Sequence, residues 1–300
     1  MEKYLIIILG PTGIGKTDLS IEIAQHFNTE IISADSRQIY KELKIGTAVP
    51  SDIQLNTVKH HFIGNKSIFD YYNVSMYEVE VNKFLENFFK TNSTALLVGG
   101  SGMYIDAVCK GIDDLPSVDI EIRNQLQQKF ENEGIESLRF ELKRLDPEHY
   151  SKVDLRNPKR ILKALEVCNQ TGQTYTSFLT NPKKDRNFRT IKIGLNRDRT
   201  ELHNIINKRV DKMIEEGLIE ETKMFYNFKN INSLNTVGYK EFFDYFDNIH
   251  NLETAIELTK RNTRRYARRQ LTWFNRDSEI KWFEPNQKSE IINYINTKVM

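Results

Sequence analysis

Eight residues near the start of the chain, Gly10-Pro11-Thr12-Gly13-Ile14-Gly15-Lys16-Thr17, match G-x-x-x-x-G-K-[ST] in full. The pattern constrains the fold because it works in one setting only, between a buried strand and a helix. Both flanks comply. Residues 3–9 (KYLIIIL) are a short apolar run rich in β-branched side chains, stopped by glycine and proline. Thr17 to Phe27 then carries apolar residues at 19, 21, 23, 24 and 27, which predicts a helix. In this setting the glycines let backbone N–H groups turn towards phosphate oxygens, and the helix N-terminus adds partial positive charge. Lys16 would pair with the phosphates and the Thr17 hydroxyl would ligate Mg²⁺, the expected cofactor. Gly10 to Thr17 are therefore the expected site for a di- or triphosphate.

The rest of the chain extends that beginning. Glu30 to Ala34 (EIISA) and Thr94 to Val98 (TALLV) read as further short strands, with a helix-like stretch from Val79 to Phe89 between them. Strands alternating with helices point to a parallel sheet covered on both faces. Thr190 to Leu195 (TIKIGL) is expected to return to that sheet. Between them the texture turns to polar helix, over 119–133, 138–145 and 158–170. The predicted fold is a P-loop α/β parallel sheet core flanked by helices, with an all-helical insertion domain. Residues 1–115 form the first part of the core and 116–185 the insertion. Residues 186–300 complete the core and read as helical from Glu201 onward.

Three simple exclusions follow. The longest apolar run, Leu5 to Leu9, is far short of the ~18 residues of a membrane span, and it lacks the flanks of a signal peptide. Cys109 and Cys168 stand apart with no CxxC or Cys/His cluster, so a structural zinc is not expected. The adjacent His60-His61 has no further ligands at metal spacing and reads as structural. A cytoplasmic protein with no membrane partner is expected.

Net charge is +2, but Lys260, Arg261, Arg264, Arg265, Arg268, Arg269 and Arg276 put seven positives between 260 and 276 with no acid among them. Taking those seven from +2 leaves −5 on the remainder, so a mildly acidic body carries one dense basic segment. Arg261, Arg265, Arg268 and Arg269 share a helical face, with Tyr266 and Trp273 interleaved. Arginines suit a phosphodiester backbone and aromatics suit unpaired bases. A solvated face is the plainer alternative. Asp35 follows the second strand directly, where open parallel sheets put their ligands. It serves equally well as a base taking a proton from a nucleophile or as a helix cap. The strand at 94–98 ends in Gly99-Gly100-Ser101-Gly102 with no acid before Asp106. That weakens an ATPase or GTPase reading, and the glycines would open a second backbone surface near the ligand.

The segments GPTGIGKT, ISADSRQIY, IGTAVP, HHFI, LLVGGSGMYIDAV, NPKRILKALEV, TVGYKE and RRYARRQLTWF occur in the order seen in bacterial tRNA dimethylallyltransferases, which the chain resembles over about residues 3–276. The resemblance implies dimethylallyl diphosphate at the P-loop and tRNA, through its anticodon stem-loop, as the second substrate. An adenine amine attacks the allylic carbon and pyrophosphate leaves with Mg²⁺. By the same match Asp35 is the general base, Thr12 lies near the reacting centre, and Arg209 neutralises the diphosphate. Residues facing tRNA would be Asp35, Ser36, Arg37 and Gln38, Lys159, Arg160 and Lys163, Gly238, Tyr239 and Lys240 within 235–240, and Arg268 to Asn275 with Arg265, Arg269 and Trp273. Ser101 and Arg123 would line the passage of a flipped base. Three departures bear on RNA affinity: Ser101 for threonine, Val49 for lysine, and Phe274-Asn275 for Leu-Arg. A monomer is expected. A P-loop small-molecule kinase shares the P-loop and Asp35 but has no need of the arginines. A nucleotide-gated RNA-binding module explains the arginines and leaves Asp35 idle.

Overall fold

The computed structural model describes residues 2–117, 119–180 and 184–299. The chain divides into two compact units, Met1–Cys109 with Asp185–Met300, and Lys110–Lys184. The second unit thus opens ahead of the change of texture at Pro116. Residues 181–183, near the far edge expected for the insertion, lie outside the described residues.

The first unit is built on six parallel strands: β1 (Tyr4–Leu9), β2 (Ile31–Ser33), β3 (His60–His61), β4 (Thr94–Gly99), β5 (Arg189–Leu195) and β6 (Lys281–Phe283). Their order across the sheet is β3-β2-β4-β1-β5-β6. The unbroken apolar run of β1 is what a central parallel strand needs, since both faces are covered. Leu5, Ile7 and Leu9 enter one core, while Tyr4, Ile6 and Ile8 enter the other. Register then sets the site. Leu9 stands opposite Gly99 on one side and Gly194 on the other, and Ser33 stands opposite Val98. The segments leaving β1, β4 and β2 therefore emerge side by side at the carboxyl edge.

Two elements differ from the sequence expectation. The stretch after Glu201 is not helical throughout, because Lys281–Phe283 pairs with β5 as an edge strand. Three residues are too few to show a period. What admits the strand is Gly194, where a Cβ would stand 2.6 Å from both Ile280 and Trp282. Buried Lys192 ties down the approach to β6, donating to Asp277 at 2.7 Å and Glu279 at 2.6 Å. The helix expected from Val79 begins instead at Val74, where the Asn73 side chain accepts from the Met76 N–H at 3.0 Å. His60-His61 is structural, as expected. It forms the short strand β3, and His61 bonds Glu30 and packs on Phe84.

The second unit consists of helices Ile120–Glu133, Ile135–Leu145, Pro147–Lys152, Pro158–Thr171 and Tyr175–Phe178, with no strand among the described residues. They close over Leu126, Leu138, Leu142, Ile161, Ala164 and Leu165. Side-chain caps at Asp119, Asp146, Asn157 and Thr174 start four of the five helices.

Candidate active site

At the carboxyl edge of the sheet lies a cavity of about 1030 Å³, lined on one side by Thr12 to Asp18. Gly13 and Gly15 take left-handed conformations (φ +79° and +100°), which turn the loop around its own N–H groups. The helix Lys16–His26 starts at that point. Lys16 folds back, its Nζ donating to the carbonyls of Gly10 at 2.9 Å and Pro11 at 2.8 Å. Lys16 is half-buried at the cavity wall. Burial first, then the like charge of Arg209, push it down to about 7, with Asp35 opposing. Arg209, from the helix Arg199–Glu215, lines the opposite wall. Burial draws its guanidinium below its ordinary range, again opposed by Asp35. Two enclosed cations share one carboxylate, so the site favours a polyanion.

Asp35 caps a turn and also lines the cavity, so the cap leaves it available there. Its Oδ1 caps the turn after β2, accepting from the N–H of Arg37 at 2.8 Å and of Gln38 at 3.3 Å. Its Oδ2 accepts no hydrogen bond from the described residues, and Asp35 lines the cavity. The glycines after β4 border the cavity too, but their first use is close packing. A Cβ at Gly99 would stand 2.1 Å from the Ala34 carbonyl, and one at Gly100 2.2 Å from Gln270 Nε2. Ser101 is buried, its Oγ accepting from the Ser36 N–H at 3.0 Å and lying near the Tyr266 hydroxyl. Burial and the Asp35 charge push that phenol up to about 12.

Sequence reasoning missed two residues here. Gln270 accepts from the Thr12 N–H at 2.8 Å and donates to the Gly100 carbonyl at 2.9 Å. It sits in an arginine-rich run and reads as surface, although Ala267, Gln270 and Phe274 fall at buried helical spacing. Glu221 holds the other wall. Its carboxylate accepts from the N–H groups of Lys44, Ile45 and Gly46 at 2.9 to 3.0 Å and from the Tyr239 hydroxyl at 2.6 Å.

A P-loop facing a strand-end carboxylate, with a basic helix alongside, narrows the families considerably. The profile of IPP transferase matches residues 38–277. The chain is 54% identical over 297 residues to tRNA dimethylallyltransferase 1 of Bacteroides fragilis, covering 99% of each. It is 53% identical over 300 residues to the tRNA dimethylallyltransferase of Christiangramia forsetii, covering 100% of this chain and 99% of that one. The chain belongs to the IPP transferase family. Among solved structures it is similar to the tRNA isopentenylpyrophosphate transferase of Bacillus halodurans, with TM-score 0.73 and 34% identity over 100% of this chain and 97% of that one. It is also similar to a eukaryotic dimethylallyltransferase acting on tRNA, with TM-score 0.81 and 25% identity over 99% of this chain and 80% of that one.

The residues that the sequence assigned to RNA divide between exposed and inward-turned. Arg261, Arg265, Arg268, Arg269 and Arg276 are exposed on or just after the helix Leu252–Phe274, and Lys240 is exposed too. Others are turned inward. Tyr239 is fully buried with its hydroxyl on Glu221, and Gly238 is buried with its N–H on Glu241 at 2.8 Å. Tyr239 supports the wall at 44–46 through Glu221, and neither residue presents an exposed surface. Trp273 is no free stacking platform. Its indole donates to Asp106 at 2.8 Å, Arg276 lies 4.0 Å over its ring, and a Cβ on Gly102 would stand 2.2 Å from Cδ1. Gln38 spends its amide on the carbonyls of Thr47 and Ala48, and Arg37 reaches the carbonyls of Asn232 and Asn235. The basic run does have balancing acids: Lys260 pairs with Asp211 at 2.8 Å and Glu257 at 3.1 Å. In the insertion Arg123 is held bidentate by buried Glu166, at 2.6 and 3.0 Å, and Lys163 lies 3.7 Å from the same carboxylate. Lys159 and Arg160 are exposed.

Proposed function

We propose that this chain transfers the dimethylallyl group of dimethylallyl diphosphate to the exocyclic amine of the adenosine on the 3′ side of the tRNA anticodon, releasing pyrophosphate. The observation that carries the reading is one cavity lined by both halves of the chemistry, the cations Lys16 of the P-loop and Arg209 of the helix Arg199–Glu215, and Asp35, whose Oδ2 has no hydrogen bond among the described residues. The amine lone pair forms the new C–N bond at the allylic carbon. The C–O bond breaks with its electron pair going to pyrophosphate, and the amine proton passes to Asp35. An adenine amine is a weak nucleophile, so a positioned base is worth about 10²–10⁴-fold. Lys16, Arg209 and the N–H groups of Gly13 to Thr17 stabilise the charge that grows on the leaving group.

The donor set fits Mg²⁺ bound chiefly through the substrate. Among the described residues no group of three or more His, Cys, Asp or Glu stands ready as a cage. Mg²⁺ keeps several waters and takes phosphate oxygens, so the Thr17 hydroxyl beside the diphosphate is a sufficient protein ligand. The ion, when bound, neutralises pyrophosphate charge.

The exposed arginines from 261 to 276, with Lys240, Lys159 and Arg160, supply phosphate contacts to tRNA, and the adenine must leave its stack to reach Asp35. One chain carries the P-loop, the base and the basic helix, and the working form is taken as a cytoplasmic monomer. The test is incubation with bulk tRNA, Mg²⁺, dimethylallyl diphosphate labelled in the prenyl group, and γ-labelled ATP. Prenyl label on tRNA with ATP untouched is expected. Label moving from ATP to a small molecule, or phosphate release from ATP stimulated by tRNA, would overturn the reading in favour of a kinase or a nucleotide-gated module.

A further inference from the structure

The helix bearing the exposed arginines is joined to the cavity through one amide. Gln270 is only 6% exposed, and its two polar atoms go to two different walls, Oε1 to the Thr12 N–H and Nε2 to the Gly100 carbonyl. These walls leave neighbouring strands, β1 and β4, so a single side chain sets the gap between them. The fit is tight, since Gly100 has no space for a Cβ on that side. One turn away on either side, Tyr266 lies near Ser101 and Trp273 bonds Asp106. The same helix turns Arg265, Arg268 and Arg269 outward.

We propose that Gln270 is a positioning residue for prenyl transfer, acting through the main chain of Thr12 to fix the entry of the phosphate loop against the glycine run. The inference rests on the function proposed above. A primary amide supplies an acceptor and a donor from one planar group whatever the pH, and asparagine is one methylene too short to span both walls. With Gln270 in place the Thr12 N–H is committed to protein, and the diphosphate is left with the N–H groups from Gly13 onward. Without it a half-buried N–H and a buried carbonyl lose their partners together, a penalty that favours movement of the loop. Movement there displaces Thr12 from the reacting carbon while leaving Lys16 and Arg209 in place, so the damage falls on turnover more than on binding. A misplacement of about 1 Å in a reacting geometry costs on the order of 10²-fold.

The test compares Gln270→Met, which keeps length and loses both bonds, with Gln270→Glu, which keeps the acceptor for Thr12 and loses the donor to Gly100. Each is made alone and with Thr12→Ala. Single-turnover prenylation, affinity for dimethylallyl diphosphate, affinity for an anticodon stem-loop and melting temperature are measured. The expected result is a Met variant that folds, binds RNA within about threefold of wild type and loses about 10- to 100-fold in rate. Combined with Thr12→Ala it is no slower than Thr12→Ala alone, because both act through one point. Should the Met variant not fold, the Glu variant carries the same comparison, with a smaller loss. Wild-type rates in the variants, or losses that add to that of Thr12→Ala, overturn the inference while leaving the function standing. Failure of both variants to fold also overturns it, making the amide purely structural. A wild-type protein that moves no prenyl group overturns the function and this inference together.

Discussion

Binding of the diphosphate should draw a proton from solution at neutral pH. Burial and the like charge of Arg209 put free Lys16 at about 7, and among the described residues its ammonium donates to two loop carbonyls. A bound diphosphate supplies the negative charge that the empty site lacks and returns the lysine towards its ordinary 10.5. The pKa is therefore higher in the complex than in the free protein. Affinity is complete below the free value and is lost as pH rises through it, by about tenfold per unit. Between about pH 7 and 9 the dissociation constant should rise about 50-fold, and uptake should be about half a proton at pH 7 and 0.9 at pH 8. The window lies above the ligand's own last ionisation, since a phosphate's second pKa is about 6. Calorimetry in buffers of different ionisation enthalpy reads both quantities at fixed Mg²⁺. Lys16→Arg is the control, because a guanidinium keeps its charge throughout. It should bind more weakly, for want of the same geometry, but with a flat profile. A flat profile for wild type, or an equal slope in the arginine variant, would refute the reasoning.

Asp35→Asn should fold and bind dimethylallyl diphosphate, because an amide oxygen still accepts the Arg37 and Gln38 N–H groups. Its single-turnover rate should fall at least about a hundredfold, and a near wild-type rate would return Asp35 to the role of turn cap alone. Arg265→Ala with Arg269→Ala should leave diphosphate binding intact and flatten the salt dependence of tRNA affinity by up to about one log–log unit per lost contact. Filter binding across a salt series checks this. Gly100→Ala should mimic the loss of Gln270, since the new methyl takes the space of Nε2. A fully active alanine variant would show that the two walls tolerate separation.

How much of this was legible in the sequence follows the range of the interactions. The P-loop, β1 and the place of Asp35 are encoded locally, by a motif, an apolar run and the rule that parallel strands present ligands at their carboxyl ends. Gln270 and Glu221 were not legible, because each bonds backbone far away in the chain and a polar residue among charges carries no mark of burial. Tyr239 and Gly238 stood in a segment matched to RNA contact, yet a tyrosine hydroxyl facing a buried carboxylate is visible only in three dimensions. The acid-free look of the basic run was true along the sequence and untrue in space, since Asp211 reaches Lys260 from another helix. The start at Val74 was hidden because Glu78 is buried there against Arg186, which breaks the apolar period with a charge.

Glu221 gives the cavity a bias of its own. Three consecutive amides at 44–46 point at one spot, which is the arrangement that captures free anions in many proteins. Here the protein has filled the spot with its own carboxylate, so that wall is already satisfied before any substrate arrives. An incoming diphosphate should therefore find its amides at the P-loop rather than at that wall. The expected polarity of the substrate, phosphates towards Lys16 and the carbon chain in the remaining space, is thus favoured by a side chain that need not touch it.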